Sequence, residues 1–184
     1  GLGDVYKRQV AERLPGTIAE FMPDAVDRFR VVNRDALTVT PENLPDFNND
    51  DSFTLVANLP YNVATPILLT LLERFDNLGT FLVMVQKEVA DRMKEGPGSK
   101  DYGALSLAVQ YYAEPEIVAN VPPNCFIPRP NVGSAVIRLT RHKEMPVEVK
   151  DSALMFKIIR ASFNQRRKTL QNGLGNAPEL PYTK

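Results

Sequence analysis

The sequence predicts an α/β fold with a mostly parallel sheet, and two patterns support this. Short apolar runs such as residues 53–57 alternate along the chain with stretches of helical spacing, which is typical of consecutive βα units. The last two predicted strands, residues 116–121 and 134–140, are joined by a proline-rich loop with no helix. They therefore predict an antiparallel hairpin at one edge of the sheet.

Residues 1–52, which precede the apolar run over 53–57, give weaker signals of secondary structure. Residues 1–9 show neither a strand period nor a helix start, so we interpret them as a non-native translated segment at the edge of a partial sequence. Val10, Leu14, Ile18 and Phe21 share one face at helical spacing. The predicted elements here are a helix over 10–21, a short strand over 29–32, and a loop over 38–51 with one helical turn.

From residue 53 onward the pattern is clearer. The continuous apolar run over 53–57 predicts a buried parallel strand, and Pro66 is tolerated in the first turn of the helix that follows. The remaining predicted elements are a helix over 64–75, a strand over 80–85, helices over 88–94 and 103–113, the hairpin, a polar linker over 142–150, and helices over 151–164 and 165–174.

Composition narrows the class of protein. The 184 residues suffice for one domain and part of a second. The formal net charge is zero, so a nucleic-acid contact must come from a local basic patch. The single cysteine, Cys125, excludes an internal disulfide framework and a thiolate zinc site, and we expect no metal. With no long apolar run and no signal peptide, we expect a cytoplasmic protein.

The tetrapeptide Asn58-Leu59-Pro60-Tyr61 follows the buried strand directly, where open α/β sheets place their chemistry. The Asn58 amide oxygen and the Leu59 carbonyl, held by the rigid Pro60, are suited to accept both N–H groups of an adenine N6 amine. Tyr61 is suited to stack on the base, which is worth about 1–3 kcal/mol. An ordinary turn at a strand end, with Tyr61 covering the core, is the competing interpretation.

Four segments together resemble the ribosomal RNA adenine dimethyltransferases, and among them the bacterial type that acts on 16S RNA. The resemblance covers residues 10–176. The segments are the tetrapeptide with Asn62 and Thr65-Pro66, Gln86-Lys87-Glu88-Val89, the loop over 121–134 with its Pro122-Pro123 and Phe126-x-Pro128-x-Pro130, and Phe163-Asn164-Gln165-Arg166-Arg167-Lys168-Thr169.

This resemblance implies a class I S-adenosylmethionine-dependent methyltransferase fold, Rossmann-like, followed by a small helical domain. Residues 10–143 would form a partial catalytic domain truncated at its N-terminus, and residues 144–184 a linker and the beginning of the helical domain. It also implies N6,N6-dimethylation of two adjacent adenines in a hairpin loop near the 3′ end of 16S rRNA, in a small ribosomal subunit precursor.

Site residues follow from the same resemblance. Asn58 and the Leu59 carbonyl would hold the target amine, and Tyr61 and Phe126 would stack on opposite faces of the base. Asp35, next to Ala36, would accept from the amine of the cofactor adenine, and Asn58 would also line the methionine end of S-adenosylmethionine. Asp35 taken alone is more typical of a turn or a helix cap.

A basic stretch precedes and includes the last segment, and no acidic residue lies between Asp151 and Glu179. A solvated helix face is the usual meaning of such a run. We favour contact with the phosphate backbone of RNA because the run has one sign and leads into the helical domain. Its members are Lys157, Arg160, Arg166, Arg167 and Lys168.

The glycine-rich cofactor loop and the acidic residue that grips the cofactor ribose are not recognisable before Val10. We therefore expect the 184-residue chain by itself to be inactive and to bind S-adenosylmethionine weakly. Three alternatives stay open: an N6-adenine DNA or protein glutamine methyltransferase, which prefers Pro at the position of Leu59; a 23S rRNA methyltransferase; and a non-catalytic RNA-binding factor of ribosome assembly.

Overall fold

The computed structural model describes residues 2–45, 47–164, 169–178 and 180, with the backbone alone over 2–8. Two compact units make up the chain, residues 1–50 and residues 51–184. Within the described part, no helix has the length and apolar character needed to cross a lipid bilayer.

The first unit is helical. Helix α1 (Leu2–Phe21) begins well before residue 10, where we predicted its start, and it contains Pro15. Three short 3₁₀ helices follow, Pro23–Arg28, Ala36–Thr38 and Pro41–Asn43, so the helical turn predicted within 38–51 is present. The apolar stripe of α1 is not covered at either end, since Val10 is 62% and Phe21 73% exposed.

The strand predicted over residues 29–32 is wrong. These residues join no sheet, and all four strands of the described sheet come from the second unit. A short run of β-favouring residues forms a strand only when a neighbouring strand completes its hydrogen bonds. Here the Arg30 guanidinium instead donates to the carbonyls of Asp27 and Phe29 at 3.1 and 3.0 Å, which stabilises a local turn.

The second unit is built on a mixed sheet. Its strands are β1 (Phe53–Asn58), β2 (Leu78–Gln86), β3 (Ala113–Val121) and β4 (Ser134–Arg141), in the order β1-β2-β4-β3. Strands β1 and β2 are parallel, and β4 is antiparallel to both β2 and β3. Three strands therefore share one direction, as a mostly parallel sheet requires, and the predicted hairpin is confirmed with β4 on its inner side. The prediction of a parallel strand over 53–57 is confirmed, but its predicted burial is wrong: β1 lies at the edge of the described sheet, where Val56 is 71% exposed.

The helices of the second unit lie close to the predicted ranges. They are α2 (Ala64–Arg74), α3 (Lys87–Lys94), α4 (Ala104–Tyr112), α5 (Ser152–Asn164) and α6 (Leu170–Gly175). The helix predicted over 165–174 is described only from Leu170, since residues 165–168 lie outside the described part. Side chains that are fully buried between sheet and helices are Leu68, Leu72, Phe81, Val83, Met93, Val109, Ile137 and Leu139.

Arg141, the last residue of β4, closes the end of helix α2. Its guanidinium donates to the carbonyls of Leu72, Phe75 and Leu78 at 2.6, 2.8 and 3.0 Å. The side chain is 11% exposed, and burial lowers the pKa of Arg141, partly offset by the carboxylate of Asp76. These carbonyls lie in the last turn of α2, in the connection and at the start of β2, and that of Phe75 also accepts from the Leu78 N–H at 3.2 Å. A single cation thus joins three consecutive parts of the chain.

We predict that Arg141→Met lowers the free energy of unfolding by about 2–5 kcal/mol, because it removes the guanidinium that donates to three part-buried carbonyls. Urea denaturation measures this change. Arg138→Met is the matched control on the same strand, because Arg138 pairs with Glu116 at the surface, where its side chain is 48% exposed, and such a pair contributes about 0–1 kcal/mol. Equal losses in the two variants would contradict the role given to Arg141.

Candidate active site at the carboxyl edge of the sheet

Three of the segments singled out in the sequence meet at one edge of the sheet. Because β1, β2 and β3 run the same way, their carboxyl ends lie together with the first residue of β4. In register, Asn58 lies opposite Met84 of β2, and Ser134 lies opposite both Gln86 and Val121. The tetrapeptide, the segment that begins at Gln86 and the proline-rich loop are thereby brought to the same place.

The tetrapeptide forms a tight exit from β1. Asn58 is exposed, whereas Leu59 is buried and its backbone N–H donates to the Met84 carbonyl at 3.2 Å. This bond continues the pairing with β2 past the last strand residue. The Pro60 carbonyl then accepts from the Val63 N–H at 3.1 Å, which turns the chain into α2. Asn58 is therefore held at a fixed point with its side chain open to a ligand.

Tyr61 is anchored through its hydroxyl. The Tyr61 Oη lies 2.6 Å from the Ser134 Oγ, and either atom is able to donate. Ser134 is 1% exposed, while Tyr61 is half-buried. The sequence motif of the loop included Ser134 but indicated no role for it. The two residues are 73 positions apart, and no local pattern signals such a contact.

Phe126 lies in the loop between β3 and β4. It ends the 3₁₀ helix Pro123–Cys125, where its N–H donates to the Pro123 carbonyl at 3.3 Å. Its ring is half-buried, and the next residue, Ile127, is fully exposed. Among the ring contacts of the described residues, none joins Phe126 to Tyr61. The loop carries Phe126 to the same edge of the sheet as Tyr61, without direct packing of the two rings.

A polar cleft lies beside the tetrapeptide edge, at the start of α3. It has a volume of about 290 Å³. The Lys87 N–H donates to the Gly133 carbonyl at 2.9 Å, which fixes the end of the loop, and the Lys87 ammonium pairs with Asp91 at 2.8 Å. The residues lining the cleft are Gln86, Lys87, Glu88, Asp91, Asp101, Val132 and Gly133.

Helix α3 is held in place by polar side chains of α4. The buried Ser106 hydroxyl donates to the Arg92 carbonyl at 2.6 Å. The Gln110 amide donates to the carbonyls of Met93 and Glu95, both at 2.9 Å. The last carbonyls of α3 are satisfied in this way, which fixes the helix that borders the cleft.

Asp35 and Ala36 lie in the first unit. Asp35 is exposed and its Oδ1 accepts from the Leu37 N–H at 2.9 Å, so it caps the 3₁₀ helix whose first residue is Ala36. This is the cap role that the sequence suggested for Asp35 taken alone. The cofactor role of Asp35 and Ala36 stays a prediction.

The basic residues are described in part. Lys157 and Arg160 are both exposed on α5, and their spacing places them on neighbouring positions of one helix face. Ala161 of the same helix is buried, and Phe156 packs against the rings of Tyr111 and Tyr112. Arg166, Arg167 and Lys168 lie outside the described residues.

The shifted ionisable groups of the second unit lie at the opposite end of β4 from the tetrapeptide. Burial, followed by the nearby Glu73 carboxylate, raises the pKa of Tyr112 to about 12, and the ring lies 5.9 Å from the Arg141 guanidinium. Over the described part of the chain, no group of three or more His, Cys, Asp or Glu side chains is placed to hold a metal ion. At the tetrapeptide the groups that the chain offers are hydrogen-bond acceptors and aromatic faces.

Comparison with solved structures assigns the mixed sheet, with its one reversed strand next to the edge, to the class I S-adenosylmethionine-dependent methyltransferase fold. Two solved structures share it. One is a dimethyladenosine transferase from Plasmodium falciparum, with TM-score 0.63 and 24% identity over 86% of this chain and 56% of that chain. The other is the 23S rRNA methyltransferase ErmE, with TM-score 0.59 and 28% identity over 92% of this chain and 64% of that chain.

The chain belongs to the ribosomal RNA adenine dimethylase family, whose model matches residues 11–180. It is 65% identical over 173 residues to the ribosomal RNA small subunit methyltransferase A of Bifidobacterium adolescentis, covering 90% of this chain and 57% of that protein. The protein of the same name from Clostridium perfringens is 47% identical over 182 residues, covering 95% and 61%. The chain thus spans somewhat more than half the length of these relatives.

Proposed function

We propose that this chain carries the target-adenine part of an S-adenosylmethionine-dependent methyltransferase that dimethylates adenine N6 in small-subunit ribosomal RNA. The observation that carries the proposal is the exposed Asn58 at the carboxyl end of β1, followed three residues later by Tyr61, whose hydroxyl is bound to Ser134. Membership of the family and the names of its bacterial relatives support the reaction and the RNA. The finer substrate, two adjacent adenines near the 3′ end of 16S rRNA, comes from the resemblance of the sequence motifs.

The first chemical task is to make the N6 amine nucleophilic. Its lone pair is delocalised into the adenine ring, and two acceptors that bind both N–H groups localise it. The Asn58 side-chain oxygen is one acceptor. The Leu59 carbonyl is the other, and its direction is set because the Leu59 side chain is buried and its N–H is bound to Met84. Both acceptors also stabilise the positive charge that develops on nitrogen.

The second task is to hold the base out of its RNA stack. A flipped base loses stacking energy, which an enzyme recovers with aromatic faces. Tyr61 on one side of the site and Phe126 on the facing loop supply two such faces. Catalysis then depends on positioning, because the amine must lie in line with the bond that breaks.

S-adenosylmethionine, when bound, supplies the methyl group as an electrophile. The residues present suit it: Asp35 is an exposed carboxylate that accepts one backbone N–H through Oδ1, and a carboxylate has further lone pairs for an adenine amine. The exposed Asn58 amide suits the polar methionine end. Asp35, Ala36 and Asn58 are therefore the residues that we propose contact the cofactor.

The RNA backbone contact belongs to α5 and the segment after it. Lys157 and Arg160 are exposed, and the charges that follow at 166–168 have the same sign. One-signed charge on a helix face releases counterions when it meets phosphates. A 16S rRNA substrate within a small-subunit precursor also implies a cytoplasmic location.

We predict that Asn58→Ala slows single-turnover methyl transfer by about 10²–10³-fold, because one acceptor for the N6 amine is removed. The protein to use is a hybrid in which this chain replaces the matching segment of the Bifidobacterium adolescentis relative. The substrate is small ribosomal subunits that lack the methylation, and calorimetric titration should show only modestly weaker cofactor binding. Thr54→Ala, on the same exposed face of β1, is the control and should transfer at the hybrid's normal rate.

Near-normal transfer by the Asn58→Ala hybrid would rule out the acceptor role. RNA binding by the unsubstituted hybrid without any methyl transfer would favour the alternative of a non-catalytic assembly factor.

We also predict that Lys157→Ala with Arg160→Ala weakens RNA binding and reduces the dependence of log affinity on log salt by about one for each phosphate that the variant no longer binds. Filter binding of the hybrid to a 16S hairpin at several salt concentrations measures this slope. Lys94→Ala with Lys143→Ala removes the same charge from exposed positions outside α5 and should leave the slope unchanged. Identical slopes in both double variants would remove α5 from the RNA interface.

A further inference from the structure

We infer that Ser134 is a positioning residue for the Tyr61 ring: its buried hydroxyl fixes where the tip of the ring lies at the proposed site, and so holds the side chain in one rotamer. The inference rests on the proposed function for what the ring does, and on the geometry for how the ring is held. Ser134 touches neither base nor cofactor in this assignment, and it acts through Tyr61.

Tyr61 needs such an anchor because its backbone does not supply one. It lies in the turn between β1 and α2, outside both elements, and it is half-buried. The turn closes through the bond from the Val63 N–H to the Pro60 carbonyl, which does not involve the Tyr61 side chain. A hydrogen bond at the far tip of the ring restrains rotation about the Cα–Cβ bond, because that rotation would carry the hydroxyl away from Ser134. Rotation about Cβ–Cγ leaves the hydroxyl where it is.

Ser134 is a rigid point to which the ring is tied. It begins β4, which is paired on both sides, and it lies opposite Gln86 of β2 and Val121 of β3. The residue before it is also held, since the Gly133 carbonyl accepts from the Lys87 N–H at 2.9 Å. At 1% exposure, Ser134 is shielded from water that would otherwise compete for its hydroxyl.

The other fully buried serine shows that the pairing with Tyr61 is not simply what burial demands. Ser106 satisfies its hydroxyl on a backbone carbonyl, that of Arg92 at 2.6 Å. Ser134 instead meets the tip of a half-exposed aromatic side chain at the proposed site, also at 2.6 Å. A buried serine hydroxyl thus holds a helix at position 106 and an aromatic side chain at position 134.

The test combines Ser134→Ala, Tyr61→Phe and the double variant in the hybrid protein. Because each change removes the same hydrogen bond, we expect each to slow single-turnover transfer by about tenfold, and the double variant to be no slower than either alone. The RNA concentration for half-maximal rate should change little. Ser106→Ala is the matched control, which should lower thermal stability while leaving the transfer rate unchanged.

A second readout does not need activity. In the 184-residue chain with ¹³C-labelled tyrosine, the Tyr61 signals are assigned from their disappearance in Tyr61→Phe. We expect Ser134→Ala to let Tyr61 populate more than one rotamer about Cα–Cβ, measured by its three-bond Hα–Hβ couplings, and Ser106→Ala to leave these couplings unchanged. If Ser134→Ala does not fold, Tyr61→Phe removes the same hydrogen bond by a change at its more exposed partner. The transfer rate of Tyr61→Phe then decides the role of the bond.

The outcomes are separable. An inactive unsubstituted hybrid defeats the proposed function, while the Tyr61 couplings still decide whether Ser134 orients Tyr61. An active hybrid with normal transfer in both single variants, or rate reductions that add in the double variant, would overturn the role of Ser134. A single unchanged Tyr61 rotamer in Ser134→Ala would overturn it as well.

Discussion

The pairing of β4 along both of its edges is the constraint on which the second unit depends. β4 is the single reversed strand among the four described, and it joins β2 to β3. Each end of this strand presents one polar side chain to a different partner. Ser134 meets Tyr61 at the carboxyl edge of the sheet, and Arg141 meets the carbonyls at the end of α2. A strand bonded on both sides moves little, so both interactions have a fixed origin.

The buried ionisable groups that stabilise the second unit and the groups of the candidate site therefore lie at opposite ends of β4. The buried cation and the tyrosine with the raised pKa lie at the end of β4 away from the tetrapeptide. The tetrapeptide end offers an amide oxygen, a backbone carbonyl and aromatic faces, which need no change of protonation to act. In the proposed reaction such a site would hold a weak nucleophile in place, and the rate would depend on how accurately the acceptors and rings are held.

The sequence predicted most of the second unit because its elements have strong local signals. The apolar run over 53–57 became β1, and the absence of a helix between residues 121 and 134 predicted the hairpin. A local sequence pattern does not predict a contact between residues that are far apart in the chain. The strand expected over 29–32 is wrong because no neighbouring strand pairs with it. The bond between Tyr61 and Ser134 and the three bonds of Arg141 depend on pairs separated by more than sixty residues, which no periodicity encodes. The roles of Asn58, Phe126 and Asp35 remain predictions from motif and placement.

Helix α2 starts directly after the turn that holds Tyr61 and ends at the carbonyls bound by Arg141. Both ends of α2 are therefore tied to β4 by hydrogen bonds, through Tyr61 and Ser134 before its first residue and through Arg141 at its last turn. Any effect of position 141 on Tyr61 thus has to pass along the length of this helix.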